Sequence, residues 1–159
     1  MTFVRCAYFM ENWALFYDGL KAPEPYFPSL ITPLDWKVPM VAVKDIGHVL
    51  AGELAITEQR QASPYVFELH GPEDYSPLDV QDAFSEAMGQ RVTIKPVEQD
   101  EIHDFYAKLF PPSIVGEWEE MARSFLPGSP VLEEMERQKA DAVVVRGKDD
   151  LISTLKAFV

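Results

Sequence analysis

The chain has 159 residues, a mass of 18.0 kDa and a formal net charge of −12, from 26 acidic and 14 basic residues. This length predicts a single domain over residues 1–159 with a sizeable core, and the negative charge argues against nucleic acid and membranes as partners. The lone cysteine, Cys6, excludes an internal disulfide and favours a reducing, cytoplasmic setting, and no apolar run reaches the roughly 18–20 residues of a membrane-spanning helix.

The first quarter of the chain predicts a strand, a short helix and a long loop. Residues 3–9 are almost continuously apolar, which is typical of a central parallel strand buried on both faces. A short helix over residues 10–17 is expected to close at Gly19. Residues 22–39 contain five prolines and three aromatic residues. They predict a long loop that serves either as a pocket wall or lid, or as a plain connector.

A short strand over residues 40–43 is predicted after this loop. Asp45 is then expected to be the N-cap of a helix, because a carboxylate can accept hydrogen bonds from the free N–H groups of a first turn. The N-cap explains Asp45 without any binding role.

Residues 65–97 predict a complete strand–helix–strand unit. Residues 65–70 alternate as a strand, with Tyr65, Phe67 and Leu69 on one face. The segment Ser76–Asp79 combines an N-cap serine, a proline at the first helical position and an acidic residue three positions after the cap. Gly89 stands where a left-handed residue would end this helix, and residues 91–95 then alternate as a half-exposed strand.

The remaining sequence is mostly helical in pattern. Predicted elements are a helix that starts at the acidic residues 98–101, a helix over 114–125, short helices over 131–138 and 149–158, and a short strand over 142–145. Few strands are available to surround a buried strand at residues 3–9. The chain is therefore expected to begin in the middle of a larger sheet.

Histidine and cysteine patterns give no clear catalytic site. His48, His70 and His103 lack metal-binding spacing, so no metal site is predicted. His70 ends a strand, where either a ligand contact or a surface position is expected. Cys6 is interpreted as a buried, unreactive thiol.

Three segments carry a family resemblance. Residues 4–12, VRCAYFMEN, resemble the LRPGFFMEN segment of the NmrA-like family of atypical short-chain dehydrogenase/reductases. Residues 39–47, PMVAVKDIG, are similar to its P-x-V-x-x-x-D-I-G element, and residues 69–76, LHGPEDYS, to its L-x-G-P-x-x-Y-S turn. In the first segment Cys6 and Ala7 replace the family's proline and glycine. The resemblance extends over essentially the whole chain but covers only the carboxy-terminal half of such a protein.

The resemblance implies an α/β fold, with a small mixed or parallel sheet flanked by helices, and the substrate-side portion of an NAD(P)-binding, reductase-like protein. The glycine-rich phosphate loop of a Rossmann half is missing from this sequence. NADP or NAD is therefore implied by the family alone, and the chain is not expected to be catalytically competent by itself. Catalytic residues are not predicted.

Site residues follow from the same resemblance. Ala7, Tyr8 and Phe9 are the implied cofactor contacts and Asn12 an implied substrate contact, because this segment lies at the carboxyl end of a strand beside the family's cleft. Trp36, in the loop over residues 22–39, is the second predicted substrate contact. From the residues alone, Tyr8 and Phe9 can equally be core residues and Asn12 a helix cap.

Two alternatives stay open for the chain as a whole. It could be a non-catalytic ligand-binding or regulatory module, or a fragment that survives by dimerising through an unpaired sheet edge. The expected partners are a small-molecule ligand and either a second copy or another chain that completes the sheet.

Overall fold

The computed structural model describes residues 1–57, 63–138 and 143–159. Its strands are β1 (Thr2–Cys6), β2 (Tyr8–Phe9), β3 (Tyr26–Ser29), β4 (Val38–Val41), β5 (Tyr65–His70), β6 (Asp74–Tyr75), β7 (Thr93–Pro96) and β8 (Val144–Arg146). Its helices are α1 (Tyr17–Leu20), α2 (Val43–Leu54), α3 (Pro77–Met88), α4 (Ile102–Ala107), α5 (Pro112–Arg123), α6 (Pro130–Gln138) and α7 (Leu151–Lys156), and Met10–Phe16 form a 3-10 helix.

Small, mainly parallel sheets form the centre of the fold. Strands β1, β5 and β8 make a parallel sheet in the order β1-β5-β8. After β1 the chain moves away from β5 and forms β2. Strand β2 pairs in parallel with β4, and β4 also pairs with β6 in antiparallel orientation. Strands β3 and β7 form a separate parallel pair. This arrangement of sheets and surrounding helices confirms the predicted α/β fold class.

Two backbone hydrogen bonds join the sheets. The Ala7 N–H donates to the Leu69 carbonyl over 3.0 Å, and the Gly71 N–H donates to the Met40 carbonyl over 2.6 Å. A Cβ on Gly71 would collide with that carbonyl, so only glycine allows β5 and β4 to approach so closely. The close approach fixes the strand ends of both sheets side by side.

The core is divided into adjacent clusters. The largest lies around the 3-10 helix, α3 and α7 and contains Trp13, Phe27, Phe84 and Leu155, all almost fully buried. A second cluster joins α4 and α5, and a third lies between β5 and α2. Because aromatic rings dominate the first two clusters, gaps between them are lined by rings.

The prediction that residues 3–9 form a strand buried on both faces is wrong. Among the described residues β1 pairs with β5 alone, so it is an edge strand, and the Phe3 side chain is 50% exposed. Cys6 is exposed as well, which corrects the prediction of a buried thiol, although partial burial raises the pKa of its thiol. The apolar side chains of β1 made burial plausible from the sequence. In the structure, no described segment covers the edge of β1 that faces away from β5.

The capping box of α3 is confirmed. The Ser76 hydroxyl accepts a hydrogen bond from the Asp79 N–H, and the Asp79 carboxylate accepts one from the Ser76 N–H over 2.7 Å. Gly89 follows the helix with φ of 64°, the left-handed conformation that was predicted for it. Local sequence signals therefore determine both ends of this helix.

The cap predicted at Asp45 is wrong. Helix α2 starts at Val43, whose N–H donates to Glu11 Oε1 over 2.8 Å, so Glu11 occupies the capping role from another element. Asp45 lies inside the first turn and is 5% exposed. Its Oδ2 accepts hydrogen bonds from the N–H groups of Lys148 and Asp149, each over 2.9 Å. Asp45 thereby fastens the β8–α7 loop to α2.

Smaller differences concern the loop and the last strand. The predicted loop over residues 22–39 contains strand β3, which its prolines had concealed, because an edge strand tolerates proline. The predicted strand over residues 142–145 is observed as Val144–Arg146, and Ala142 lies outside the described residues. The helix predicted over residues 149–158 is the shorter α7.

Candidate functional site

An aromatic cavity of about 350 Å³ lies between the 3-10 helix and helices α4 and α5. Its walls are mainly rings, contributed by Trp13, Phe16, Tyr106, Phe110, Trp118 and Phe125. Phe110 and Trp118 stack with centroids 4.7 Å apart, which makes one wall flat. The shape and lining suit a flat, largely apolar ligand.

Tyr8 and Asn12 are among the residues that line this cavity, and their predicted roles as cofactor and substrate contacts stay predictions. Burial, together with a smaller electrostatic effect of Tyr106, raises the pKa of Tyr8 far above its usual range, while a hydrogen bond with the Asn12 side chain acts in the opposite direction. Tyr8 is therefore a neutral phenol at pH 7. Because general acids work best with a pKa near the operating pH, Tyr8 is better suited to orienting a ligand than to transferring a proton.

The other predicted site residues have different positions. Ala7 lies at the end of β1 and lines a second cavity, which it shares with Tyr8. Phe9 is 39% exposed and lies outside the lining of both cavities. Trp36 also lies outside both linings, but its indole N–H donates to the Phe125 carbonyl over 3.1 Å. Trp36 thus positions a residue that lines both cavities.

The second cavity has a volume of about 550 Å³ and a mostly apolar wall, and it is here called the polar cavity after the side chains of Arg5, Glu68, His70 and Glu134 among its lining residues. It lies at the carboxyl ends of β1 and β5 and is closed on the other side by residues 124–134. Tyr8 and Phe125 form a wall common to both cavities, with their rings edge to face and centroids 5.2 Å apart. The two cavities therefore adjoin through a pair of aromatic side chains.

The polar cavity contains an imidazole–carboxylate pair. His70 Nε2 lies 3.2 Å from Glu68 Oε2, and both side chains are almost buried, at 13% and 11% exposure. His70 had been left open between a ligand contact and a surface position, and Glu68 was missed. The sequence places Val66, Glu68 and His70 on one face of a strand, but only the parallel neighbours seen in the structure show that this face is buried.

The described part of the chain was compared with the patterns of metal clusters and membrane-spanning helices. No three His, Cys, Asp or Glu side chains there are grouped so as to hold a metal ion. No described helix combines the length and apolar character needed to cross a bilayer.

Comparisons with known proteins bear on the fold. No protein-family model matches the sequence, and no curated protein matches it. The structure is similar to a nucleoside-diphosphate-sugar epimerase from Staphylococcus aureus, with a TM-score of 0.62 and 18% identity over 98% of this chain and 51% of that chain. It is also similar to NmrA, a negative transcriptional regulator, with a TM-score of 0.58 and 23% identity over 89% of this chain and 45% of that chain.

These comparisons place the fold with the NmrA and epimerase structures and go no further at such identities. The chain spans about half the length of each of the two solved proteins. The expected resemblance to the NmrA fold is confirmed at the level of structure. That the matched part is a carboxy-terminal half stays a prediction.

Three helix N-termini of this chain are unfavourable for the phosphates of the dinucleotide that the family resemblance implies. Pyrophosphate binds at helix N-termini, where free N–H groups and the helix dipole favour an anion. Three helices that follow strands hold a carboxylate there instead: Glu11 at α2, Asp79 at α3 and Asp150 at α7. A carboxylate in each of these three positions would repel phosphate, so these helix N-termini are unfavourable for a pyrophosphate.

Proposed function

We propose that this chain is the substrate-side portion of an NmrA-like, reductase-like protein and that it binds a small aromatic ligand in the aromatic cavity. The observation that carries this proposal is the position of Tyr8 and Asn12, the polar residues of the family-like segment, in the wall of that cavity. A neutral Tyr8 hydroxyl can donate a hydrogen bond to a ligand carbonyl, while the surrounding rings bury its apolar part.

Any redox role would depend on a second half that holds the dinucleotide. The carboxylates at the N-termini of α2, α3 and α7 make these three positions unfavourable for phosphate. We propose that such a half, on a longer product or a partner chain, pairs with the open edge of β1 and completes the sheet. Ala7, Tyr8 and Phe9 remain the candidates for contact with the cofactor, and Asn12 and Trp36 for the substrate.

A non-catalytic ligand-binding module is the second candidate. The raised pKa of Tyr8 favours it, because a phenol that stays protonated can hold a ligand without exchanging a proton. In this case ligand binding would not depend on a partner that carries NADP or NAD.

Ligand binding is tested by titration with 2-acetylnaphthalene, an aromatic ketone, and with 2-ethylnaphthalene, which lacks the carbonyl. Tryptophan fluorescence reports on the cavity, since Trp13 and Trp118 line it. We expect the ketone to bind more tightly, and Tyr8→Phe to weaken it by about 2–10-fold, as one neutral hydrogen bond allows, with 2-ethylnaphthalene unaffected. Equal binding of the ketone to both proteins would refute the role of Tyr8, and no binding at all would refute the proposed function.

Cofactor binding is tested by calorimetric titration with NADPH and then NADH. The chain alone is expected to bind neither. Micromolar binding would contradict the assignment of the phosphate site to a second half. Light scattering on the same sample would show whether a dimer supplies it.

A further inference from the structure

Two polar side chains lie on the central strand β5 in a position that normally selects apolar residues. Glu68 is 8% exposed, and its strand has a parallel neighbour on each side, β1 and β8. Parallel strands are usually apolar on both faces, and a buried carboxylate is costly unless it is hydrogen-bonded. The contact of Glu68 with His70 supplies a partner but does not explain why the pair is there.

The geometry of the pair determines which imidazole nitrogen faces the carboxylate. With Nε2 facing Glu68, the neutral imidazole is the Nε2–H tautomer, in which Nδ1 is a hydrogen-bond acceptor. None of the described residues is hydrogen-bonded to Nδ1. The His70 carbonyl accepts a hydrogen bond from Gly147 over 2.7 Å, so the strand end that carries the ring is held in place.

The ring lines the polar cavity, which lies at the carboxyl ends of parallel strands, where open α/β sheets bind ligands. Charged groups of the neighbouring elements are Arg5 on β1 and Glu134 on α6, which line the same cavity. Arg146 on β8 contacts the turn after β5, where its guanidinium donates a hydrogen bond to the Gly71 carbonyl over 2.9 Å. A cavity of about 550 Å³ with these groups can admit a small polar organic molecule.

We propose that the polar cavity binds a small organic molecule that carries a hydroxyl group, and that His70 Nδ1 accepts the hydrogen of this hydroxyl. Glu68 is the positioning residue. When the proton is transferred, the ligand O–H bond breaks, its electron pair stays on oxygen, and an N–H bond forms at Nδ1. The imidazolium is then stabilised by Glu68 through Nε2–H. This proposal goes beyond the proposed function, because it requires neither the aromatic cavity nor a dinucleotide.

The test uses 4-nitrophenol, whose phenolate absorbs visible light, and 4-nitroanisole, its methyl ether without the hydroxyl. At one pH near the midpoint of free 4-nitrophenol, we expect the protein to bind it and to increase its phenolate fraction. His70→Gln should weaken binding about tenfold, as the loss of a charge-assisted hydrogen bond predicts, while His103→Gln, at an exposed site, should leave it unchanged. Glu68→Gln should retain binding within about threefold but lose the gain in phenolate.

A second measurement does not depend on a variant that folds. In the ¹⁵N spectrum of the wild-type protein, the Nδ1 resonance of His70 should move when 4-nitrophenol is added and stay in place with 4-nitroanisole. Unchanged binding by His70→Gln, equal affinity for the methyl ether, or a stationary Nδ1 resonance would each overturn the proposal. The 2-acetylnaphthalene titration with Tyr8→Phe reports on the aromatic cavity, so a failure of the proposed function is recognised separately.

Discussion

Replacement of Asp45 by alanine tests the account of the β8–α7 loop most directly. The carboxylate is 5% exposed, and its Oδ2 accepts hydrogen bonds from the N–H groups of Lys148 and Asp149, each over 2.9 Å. Alanine removes the acceptor and leaves two backbone donors without their partner. The neighbouring N–H of Gly147 still donates to the His70 carbonyl. The loop should therefore loosen at one end and stay attached to β5 at the other.

The expected cost is a sum over two lost hydrogen bonds to a charged acceptor. A donor left unsatisfied on burial costs about 1–3 kcal/mol, and partial access to water reduces this for the half-exposed loop. Asp45→Ala should therefore lower the free energy of unfolding by about 2–4 kcal/mol. For a chain of this size that corresponds to a fall in Tm of roughly 4–16 °C.

The assay is urea and thermal unfolding followed by circular dichroism. Asp82→Ala is the matched control, since Asp82 is exposed on α3, and it should change stability by less than about 0.5 kcal/mol. Gly147→Ala completes a double-mutant cycle, because a Cβ there would lie 2.6 Å from Asp45 Cγ. It should be damaging alone and less damaging in the Asp45→Ala background, where the clashes with the carboxylate are removed and only the contact with the Cβ of residue 45, at 2.9 Å, is left. A small effect of Asp45→Ala, or additive effects in the cycle, would refute the proposed contact.

Two further predictions concern helix ends. Ser76→Ala should lower stability by about 1–2 kcal/mol by removing a capping hydroxyl. Burial opposes ionisation of Asp79, but its hydrogen bonds with Ser76 outweigh this effect and lower the pKa of the Asp79 carboxyl. The stabilisation by the Asp79 carboxylate is therefore present above its unfolded-state pKa and is lost as the pH falls through its folded-state pKa. Ser76→Ala should make the loss of stability at acid pH smaller, and measurements of unfolding at several pH values would show this. Glu11→Ala should cost about 1 kcal/mol and Glu11→Gln less, since glutamine keeps an acceptor for the Val43 N–H; equal losses in thermal melts would contradict the cap.

Elements specified by neighbouring residues were predictable from the sequence. The strand at residues 65–70 and the helix that follows it depend on alternation, on Ser76 and Asp79, and on Gly89, all within a few residues of the structure they determine. Tyr8 and Asn12 line a cavity, but their predicted ligand contacts stay predictions. Local signals thus identified these elements.

Features specified by distant residues were not predictable in this way. Asp45 matches a local cap pattern, but its hydrogen-bond donors lie more than a hundred positions away, and Glu11 takes the capping role from the 3-10 helix, 32 positions before Val43. The burial of β1 likewise depends on which strands lie beside it, and the sequence of a strand does not specify its neighbours. Hydrophobicity indicated a buried strand, whereas the described residues leave one edge of it open.

Glu68 shows how a departure from the expected pattern points to function. A carboxylate on the central strand of a parallel sheet lowers stability relative to an apolar side chain of similar size. Its presence there therefore indicates selection for something other than stability. Its partner His70 could have been replaced together with it by two apolar residues without loss of the strand pairing, which depends on the backbone. Such local conflicts concentrate at functional sites, because selection for chemistry there opposes selection for stability. If the pair were only structural, replacing both Glu68 and His70 with leucine would be neutral or stabilising and would leave 4-nitrophenol binding intact. We expect this double replacement to increase stability and to abolish 4-nitrophenol binding.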